Sequence, residues 1–351
     1  MNSTSRHPND NIERPKLSIC ITTYNRGQFI GETLDSILGQ MVAGVELVIV
    51  DGASPDNTPA VMAQYLLRYP EIRFFREQVN SGVDGDYDKA VGYARGDYCW
   101  LMTDDDLLCP RAISRVLESI NGEFDLVVVN SEVRNVNFSR VLETRLLKFA
   151  SDREYVAKDG EEFFSEVANY LSFIGGVVMK RSLWLERDRS SYYGTLFIHV
   201  GVIFQHPPIN RVKVIADPLI IIRYGNAMWT SRGFEIWMFK WPQLIWSFPD
   251  FSDQSKSAVC SKEPWRPIKK LILYRATGGY TVSEYRHFIA VRTKGLPRGV
   301  YMAIAMFPAA IANVFVSLYC VFVNRNARSV LYDLSRSRNA TWVSRFLARF
   351  L

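Results

Sequence analysis

Three consecutive carboxylates end an apolar run in Gly96-Asp97-Tyr98-Cys99-Trp100-Leu101-Met102-Thr103-Asp104-Asp105-Asp106, and no other stretch constrains the fold so tightly. The uncharged run from Tyr98 to Met102 has the pattern of a buried strand. Three Asp side chains at its C-terminal end repel one another unless a cation or a charged ligand sits among them. The C-terminal edge of a parallel sheet is where α/β proteins hold ligands. An acidic turn after a strand is the plainer alternative.

Elements alternate around that run. Leu17 to Ile21 reads as a first strand, and Phe29, Ile30, Leu34, Ile37 and Leu38 recur at helical spacing. Val45 to Val50 is a second strand, Thr58 to Tyr69 a helix, Ile72 to Phe75 a short strand and Asp86 to Ala94 a helix that stops at Gly96. Arg111 to Ile120 is helical and Phe124 to Asn130 extended. This order predicts an α/β fold, a mostly parallel sheet with helices on both faces. No G-x-G-x-x-G follows the first strand and no G-x-x-x-x-G-K-[ST] occurs, which argues against a dinucleotide site or a P-loop. Five cysteines without C-x-x-C spacing fit buried thiols in a reducing compartment. The polar start lacks an apolar signal core, so residues 1–15 are expected to form a disordered leader.

In a parallel sheet, Thr23-Tyr24-Asn25-Arg26, Asp51-Gly52-Ala53-Ser54 and Asp104-Asp105-Asp106 fall along one edge. The first two can hold a base and ribose, and the third a divalent cation bridging a diphosphate. These segments, with Asn80-Ser81-Gly82, Ala94-Arg95-Gly96-Asp97-Tyr98 and Pro110, resemble the family 2 glycosyltransferases of GT-A fold, over roughly residues 16 to 120. The Tyr-Cys-Trp-Leu-Met-Thr-Asp-Asp-Asp form, with Asp88 where many relatives have Asn, is similar to the abequosyltransferase-like subgroup of bacterial O-antigen assembly.

The resemblance implies a nucleotide-diphosphate sugar donor and a Mn²⁺ or Mg²⁺ cofactor. Thr23, Tyr24 and Arg26 would line the nucleotide pocket, Asp51 would accept a hydrogen bond from the base, and Asp104 would meet the ribose or donor sugar. Asp105 and Asp106 would hold the metal, directly or through water. Asp84, with Asp86 and Asp88, would contact the donor or orient Lys89 and Arg95; a solvated helix start is the alternative. Inverting members usually place an acidic base in the second half of the domain, often in a Glu-Asp pair. No such pair appears near Tyr192 to Val200, where His199 stands instead. His199 is therefore a candidate base or metal ligand, or else a satisfied core histidine, and Glu186 and Asp188 are the alternative bases. Ser172-Phe173-Ile174-Gly175-Gly176 resembles the segment that contacts the sugars. The implied catalytic domain spans 16–228, with a nucleotide-binding half 16–130 and an acceptor half 131–228.

Residues 229–351 read as an aromatic, helical region that associates with a membrane. Trp237, Phe239, Trp241, Trp246 and Phe248 suit a sugar-stacking wall, an interfacial belt or a core. Gly299 to Asn324 carries no charge, is flanked by Arg298 and Arg325, and contains Pro308, which predicts a kinked helix or helical hairpin within one leaflet. Ser335 to Leu351 reads as a basic amphipathic helix for anionic lipid. The expectation is a transferase at the cytoplasmic face of the bacterial inner membrane, acting on a lipid-linked saccharide. The rivals are a soluble acceptor and a silent sugar- or nucleotide-binding scaffold. The basic residues follow apolar helices rather than an aromatic-studded groove, which argues against nucleic acid.

Overall fold

Alternation along the strands decides which helices cover which side of the sheet. The computed structural model describes residues 14–226, 228, 232–323 and 328–350; residues 1–13 of the leader expected at 1–15, and Asn324, Arg325 and Leu351, lie outside the described residues. The chain divides into two units, one of residues up to 132, 145–160 and 170–222, the other of 133–144, 161–169 and 223 onward.

The first unit is built on a sheet whose strands are β1 (Leu17–Thr23), β2 (Val45–Asp51), β3 (Arg73–Arg76), β4 (Tyr98–Met102), β5 (Leu107–Leu108), β6 (Leu126–Asn135), β8 (Arg153–Val156), β9 (Val177–Lys180) and β10 (Arg211–Tyr224); β7 (Val141–Glu143) and the last residues of β6 belong to the second unit. Their order is β3-β2-β1-β4-β9-β6-β10-β5, with β8 on β10 and β7 on the last residues of β6. Strands β3, β2, β1 and β4 run parallel, as predicted, whereas β9 is antiparallel to β4 and to β6. The sheet is thus parallel where the sequence alternates strand and helix, and mixed beyond it. Its helices are α1 (Ile30–Leu38), α2 (Thr58–Arg68), α3 (Gly82–Tyr93), α4 (Ala112–Ile120), α5 (Gly160–Val167, mostly in the second unit), α6 (Arg181–Glu186) and α7 (Ile198–Phe204).

Leu17, Ile19, Ile21, Ile49, Trp100 and Met102 point to one face and meet Ile30, Leu34 and Ile37 of α1, Met62 of α2 and Ile113 and Val116 of α4. Each fully buried side chain of this size contributes on the order of 2 kcal/mol. The opposite face carries Cys20, whose thiol reaches the Ala90 carbonyl of α3 at 3.8 Å. Helix α3 starts at Gly82, a turn earlier than the expected Asp86. Gly82 has φ 79° and its amide donates to Asn80 Oδ1 at 2.7 Å, while Asp84 in the first turn suits the helix dipole.

The second unit is helical. A short α8 (Gly233–Glu235) runs through a π turn, Ile236–Lys240, into α9 (Trp241–Ser247). Pro242 cannot donate to the preceding turn, which accounts for the widened coil before it. There follow α10 (Asp253–Val259), α11 (Ile268–Thr277), α12 (Val282–Glu284), α13 (Gly295–Met306), α14 (Ala309–Phe322), α15 (Arg328–Arg336) and α16 (Trp342–Leu347). Phe234, Trp265, Tyr280 and Tyr285 form one core, against which Trp237 and Phe239 pack, and Trp241 and Phe248 are buried too. The aromatic run is core, not a sugar wall or a belt, because these rings satisfy each other inside the helical unit. Helices α13 and α14 meet at 94° across Phe307 and Pro308; among the described residues no single helix is long and apolar enough to cross a membrane.

Candidate active site

The chain runs from β1 outward to β2 and β3, then returns to β4 on the other side of β1. That reversal between β1 and β4 is the switch point where an open α/β sheet leaves a crevice at its C-terminal edge. Register places the chemistry there. Arg76 pairs with Asp51 and Asp51 with Thr23, while Asp104 stands two residues beyond the paired Ile21 and Met102. At about 4.8 Å per strand, the row from Arg76 through Asp51 and Thr23 to Asp104 spans about 14 Å.

Two turns behind this row are interlocked. Asn25 and Ala53 adopt left-handed φ values of 57° and 63°. The Asn25 amide donates to Ser54 Oγ at 2.9 Å, that of Arg26 to Thr58 Oγ1 at 3.0 Å and that of Gly27 to Asp56 Oδ2 at 3.1 Å. A Cβ on Gly27 would overlap the Asn57 amide, so only glycine allows this approach. Asp51 is fully buried; Oδ1 accepts the Ser54 amide at 2.9 Å, Oδ2 accepts no hydrogen bond, and Arg76 Nε lies 3.5 Å from Oδ2. The turn-capping and ligand-binding readings of Asp51 thus use different oxygens. Tyr24 is half-buried beside this turn.

The acidic run is buried, with Asp104 8%, Asp105 9% and Asp106 3% exposed. Arg26, stacked 5.6 Å over Phe29, pairs with Asp104 at 3.5 Å and Asp105 at 3.3 Å. Thr103 Oγ1 donates to Asp106 Oδ2 at 2.5 Å. Burial raises Asp104 to about 7, with the charge of Asp105 adding to it, and Arg26 and the Thr23 hydroxyl pull it back only partly. Arg26 therefore serves the acidic run itself, rather than only lining a nucleotide pocket. Among the described residues no three His, Cys, Asp or Glu side chains converge as a complete metal cage. The arrangement fits a cation that takes one or two carboxylates and completes its shell with phosphate oxygens and water, the usual habit of Mg²⁺.

The second acidic cluster splits across α3. Residues four apart share a helix face and residues two apart do not. Asp84 accepts the Leu196 amide at 2.8 Å and the Ile198 amide at 3.0 Å, so both of its oxygens hold the start of α7. Asp88 accepts from Trp184 Nε1 at 2.9 Å and Tyr193 Oη at 2.5 Å and pairs with Arg189 at 2.8 Å. Asp86 faces the other way. It is buried, Ser81 Oγ donates to it at 2.5 Å, and a Cβ built on Gly52 would lie 2.6 Å from its Oδ2. Asp86, grouped with Asp84 and Asp88 in the sequence, and Arg76, which the sequence reading did not single out, thus lie at this strand-end edge. Helical phase for Asp86 and the register of β3 for Arg76 carried the signal.

The three candidate bases sit in unlike surroundings. His199 is 2% exposed, its Nε2 lies 2.7 Å from the Leu171 carbonyl, its Nδ1 has no hydrogen-bond partner, and burial lowers its pKa to about 4. It pins α7 to the Tyr170–Ser172 turn, the arrangement of a satisfied core histidine. Asp188 is exposed and accepts from Ser190 Oγ and the Ser191 amide, bonds that hold its pKa low. Glu186 is exposed at the end of α6. Nearby, Gly175 and Gly176 are required by close packing on Phe173, Tyr170 and the Val129 carbonyl, and Trp100 Nε1 donates to the Gly175 carbonyl at 2.8 Å.

Residues 18–172, which hold this whole edge, match the family model described as glycosyl transferase family 2. Over that stretch the chain is similar to family 2 glycosyltransferases. It is 27% identical over 230 residues to the abequosyltransferase RfbV of Salmonella typhimurium, covering 62% of this chain and 69% of that relative. It is 30% identical over 123 residues to the chondroitin synthase of Escherichia coli, covering 35% of this chain but only 18% of that much longer protein. Crystalline S. aureus TarS 1-349 in complex with UDP superposes with a TM-score of 0.56 over 95% of this chain and 90% of that one, at 16% identity. The architecture is the GT-A fold.

Proposed function

We propose that the protein transfers a sugar from a nucleotide-diphosphate donor to a saccharide carried on a lipid, in bacterial cell-surface polysaccharide assembly at the cytoplasmic face of the inner membrane. The observation that carries the donor half is the row Arg76, Asp51, Thr23 and Asp104 on adjacent parallel strands, ending in three buried carboxylates, two of which, Asp104 and Asp105, share the Arg26 guanidinium. A nucleoside diphosphate laid across the strand ends meets acceptors and a cation at its base end and the acidic run at its phosphate end. UDP bound to TarS, a protein of the same fold, supports that class of donor. Likeness to an abequosyltransferase supports a deoxyhexose as the sugar and O-antigen as the destination.

Asp105 and Asp106 would hold Mn²⁺ or Mg²⁺, with Asp104 turned to the ribose or donor sugar. The bound ion would neutralise the departing diphosphate as a Lewis acid. Arg26 fixes the spacing of Asp104 and Asp105, and Thr23 and Asp51 orient the nucleoside. The acceptor hydroxyl then attacks the anomeric carbon as its bond to the diphosphate breaks.

A thermal-shift screen of nucleotide sugars with and without Mn²⁺ tests this. A donor at about 100 times its Kd stabilises the fold by about 2.7 kcal/mol. One donor should raise the midpoint in a Mn²⁺-dependent manner, and Asp105→Asn should abolish the Mn²⁺ dependence while the apo protein melts as before. No response to any nucleotide sugar would refute the reading.

A further inference from the structure

In the second unit, helix α14 has two unlike faces. Asn313, Ser317 and Cys320 are buried, and Asn313 Nδ2 donates to the Leu334 carbonyl at 3.0 Å and the Ala276 carbonyl at 3.4 Å. The opposite face carries Ile311, Phe315, Tyr319 and Phe322 at spacings of four, four and three, all exposed, Phe315 by 63% and Phe322 by 69%. Helix α16, packed against α14 and α15, exposes Trp342 by 77% together with Phe346. Exposed Arg345 and Arg349 fall on that same turn of surface.

From these faces we infer that α14 and α16 form a monotopic docking surface for anionic phospholipid, with α14 lying in the plane of the membrane. Three observations select this occupant and geometry. Exposed aromatic rings of this density are costly in water and suit the interface between headgroups and acyl chains. Residues 295–350 hold Arg298, Arg328, Arg336, Arg338, Arg345 and Arg349 among those described, against the single acid Asp333, which is itself half-buried and accepts from Tyr224 Oη at 2.8 Å. Two copies face to face would bring like charges together, whereas anionic headgroups neutralise them. The other side of the helix argues against α14 crossing by itself. Asn313 ties α14 into its bundle, and its 14 residues extend about 21 Å, short of a hydrocarbon core of about 30 Å.

This sharpens the membrane-face part of the proposed function and rests on it for its biological sense. The test is flotation of the full chain with vesicles of phosphatidylcholine alone and of phosphatidylcholine mixed with phosphatidylglycerol, beside nucleotide-induced thermal shift. The wild type should float with the anionic vesicles and release at high salt. Phe315→Ser with Phe322→Ser should weaken partition by about tenfold or more, and Arg345→Ser by about fivefold, with melting and nucleotide response unchanged. Equal flotation of wild type and variants would overturn the surface assignment. So would a wild type that is dimeric by light scattering and ignores vesicles. Vesicle binding that follows the prediction in a protein without any nucleotide response would support the surface and refute the transferase reading.

Discussion

Replacing His199 by Gln separates a core imidazole from a catalytic one. In the folded protein burial lowers its pKa from 6.5 to about 4, and Nε2 is held on the Leu171 carbonyl. A depressed folded-state pKa means that the unfolded chain takes up a proton first. The stabilising term is complete above pH 6.5 and is lost as pH falls through about 4. At about 1.4 kcal/mol per pH unit, the whole effect is about 3 kcal/mol. Glutamine can donate to the same carbonyl and does not titrate. Urea unfolding of both proteins from pH 7.5 to pH 4.5 should give a difference curve that moves against the wild type by about 1 kcal/mol per unit below pH 6. Donor turnover by the variant should stay within about tenfold, since a general base would account for about 100-fold to 10,000-fold. A flat difference curve together with collapse of turnover would refute this reasoning and return His199 to the chemistry.

Further expectations concern the supports of the site. Asp84→Ala strands two buried amides at the start of α7 and should cost about 3 kcal/mol by chemical denaturation. Gly52→Ala places a methyl 2.6 Å from Asp86 Oδ2 and should weaken nucleotide binding about tenfold in calorimetry, with a much smaller change in melting midpoint. Burial raises Asp333 to about 6, so its favourable protonated form is complete below 3.8 and lost as pH rises through about 6. Asp333→Asn should therefore stabilise by about 2 kcal/mol above pH 7, after allowance for partial exposure, and give no gain at pH 4 in melting curves.

The parallel half of the fold was legible because β1, β2 and β4 are mostly apolar and each runs into polar residues at the same edge. Asp51 and Asp104 stand out in the sequence for that reason. The assignments that changed share another cause. Asp84 was grouped with Asp86 by closeness in sequence, but a helix sends residues two apart to opposite sides. His199 sits in an apolar helix whose burial depends on the distant Tyr170–Ser172 turn, and no local pattern reports that contact. The aromatic residues from 237 to 241 carry the composition of a belt and a core alike, and only the packing of Trp237 and Phe239 on the Phe234, Trp265 and Tyr280 cluster and the burial of Trp241 distinguish them.

Helix α3 delivers Asp84 and Asp88 to one side and Asp86 to the other. It therefore acts as a phase-locked part whose length matters more than its composition. Inserting or deleting one residue between Gly82 and Asp88 would turn everything on one side by about 100°. Asp88 would fall out of phase with Asp84 or Asp86, so that the α7 amides, the Trp184 and Tyr193 donors and the Gly52 turn could no longer all be met at once. Substitution can retune this helix one contact at a time, whereas a single-residue indel would scramble both of its sides in one step.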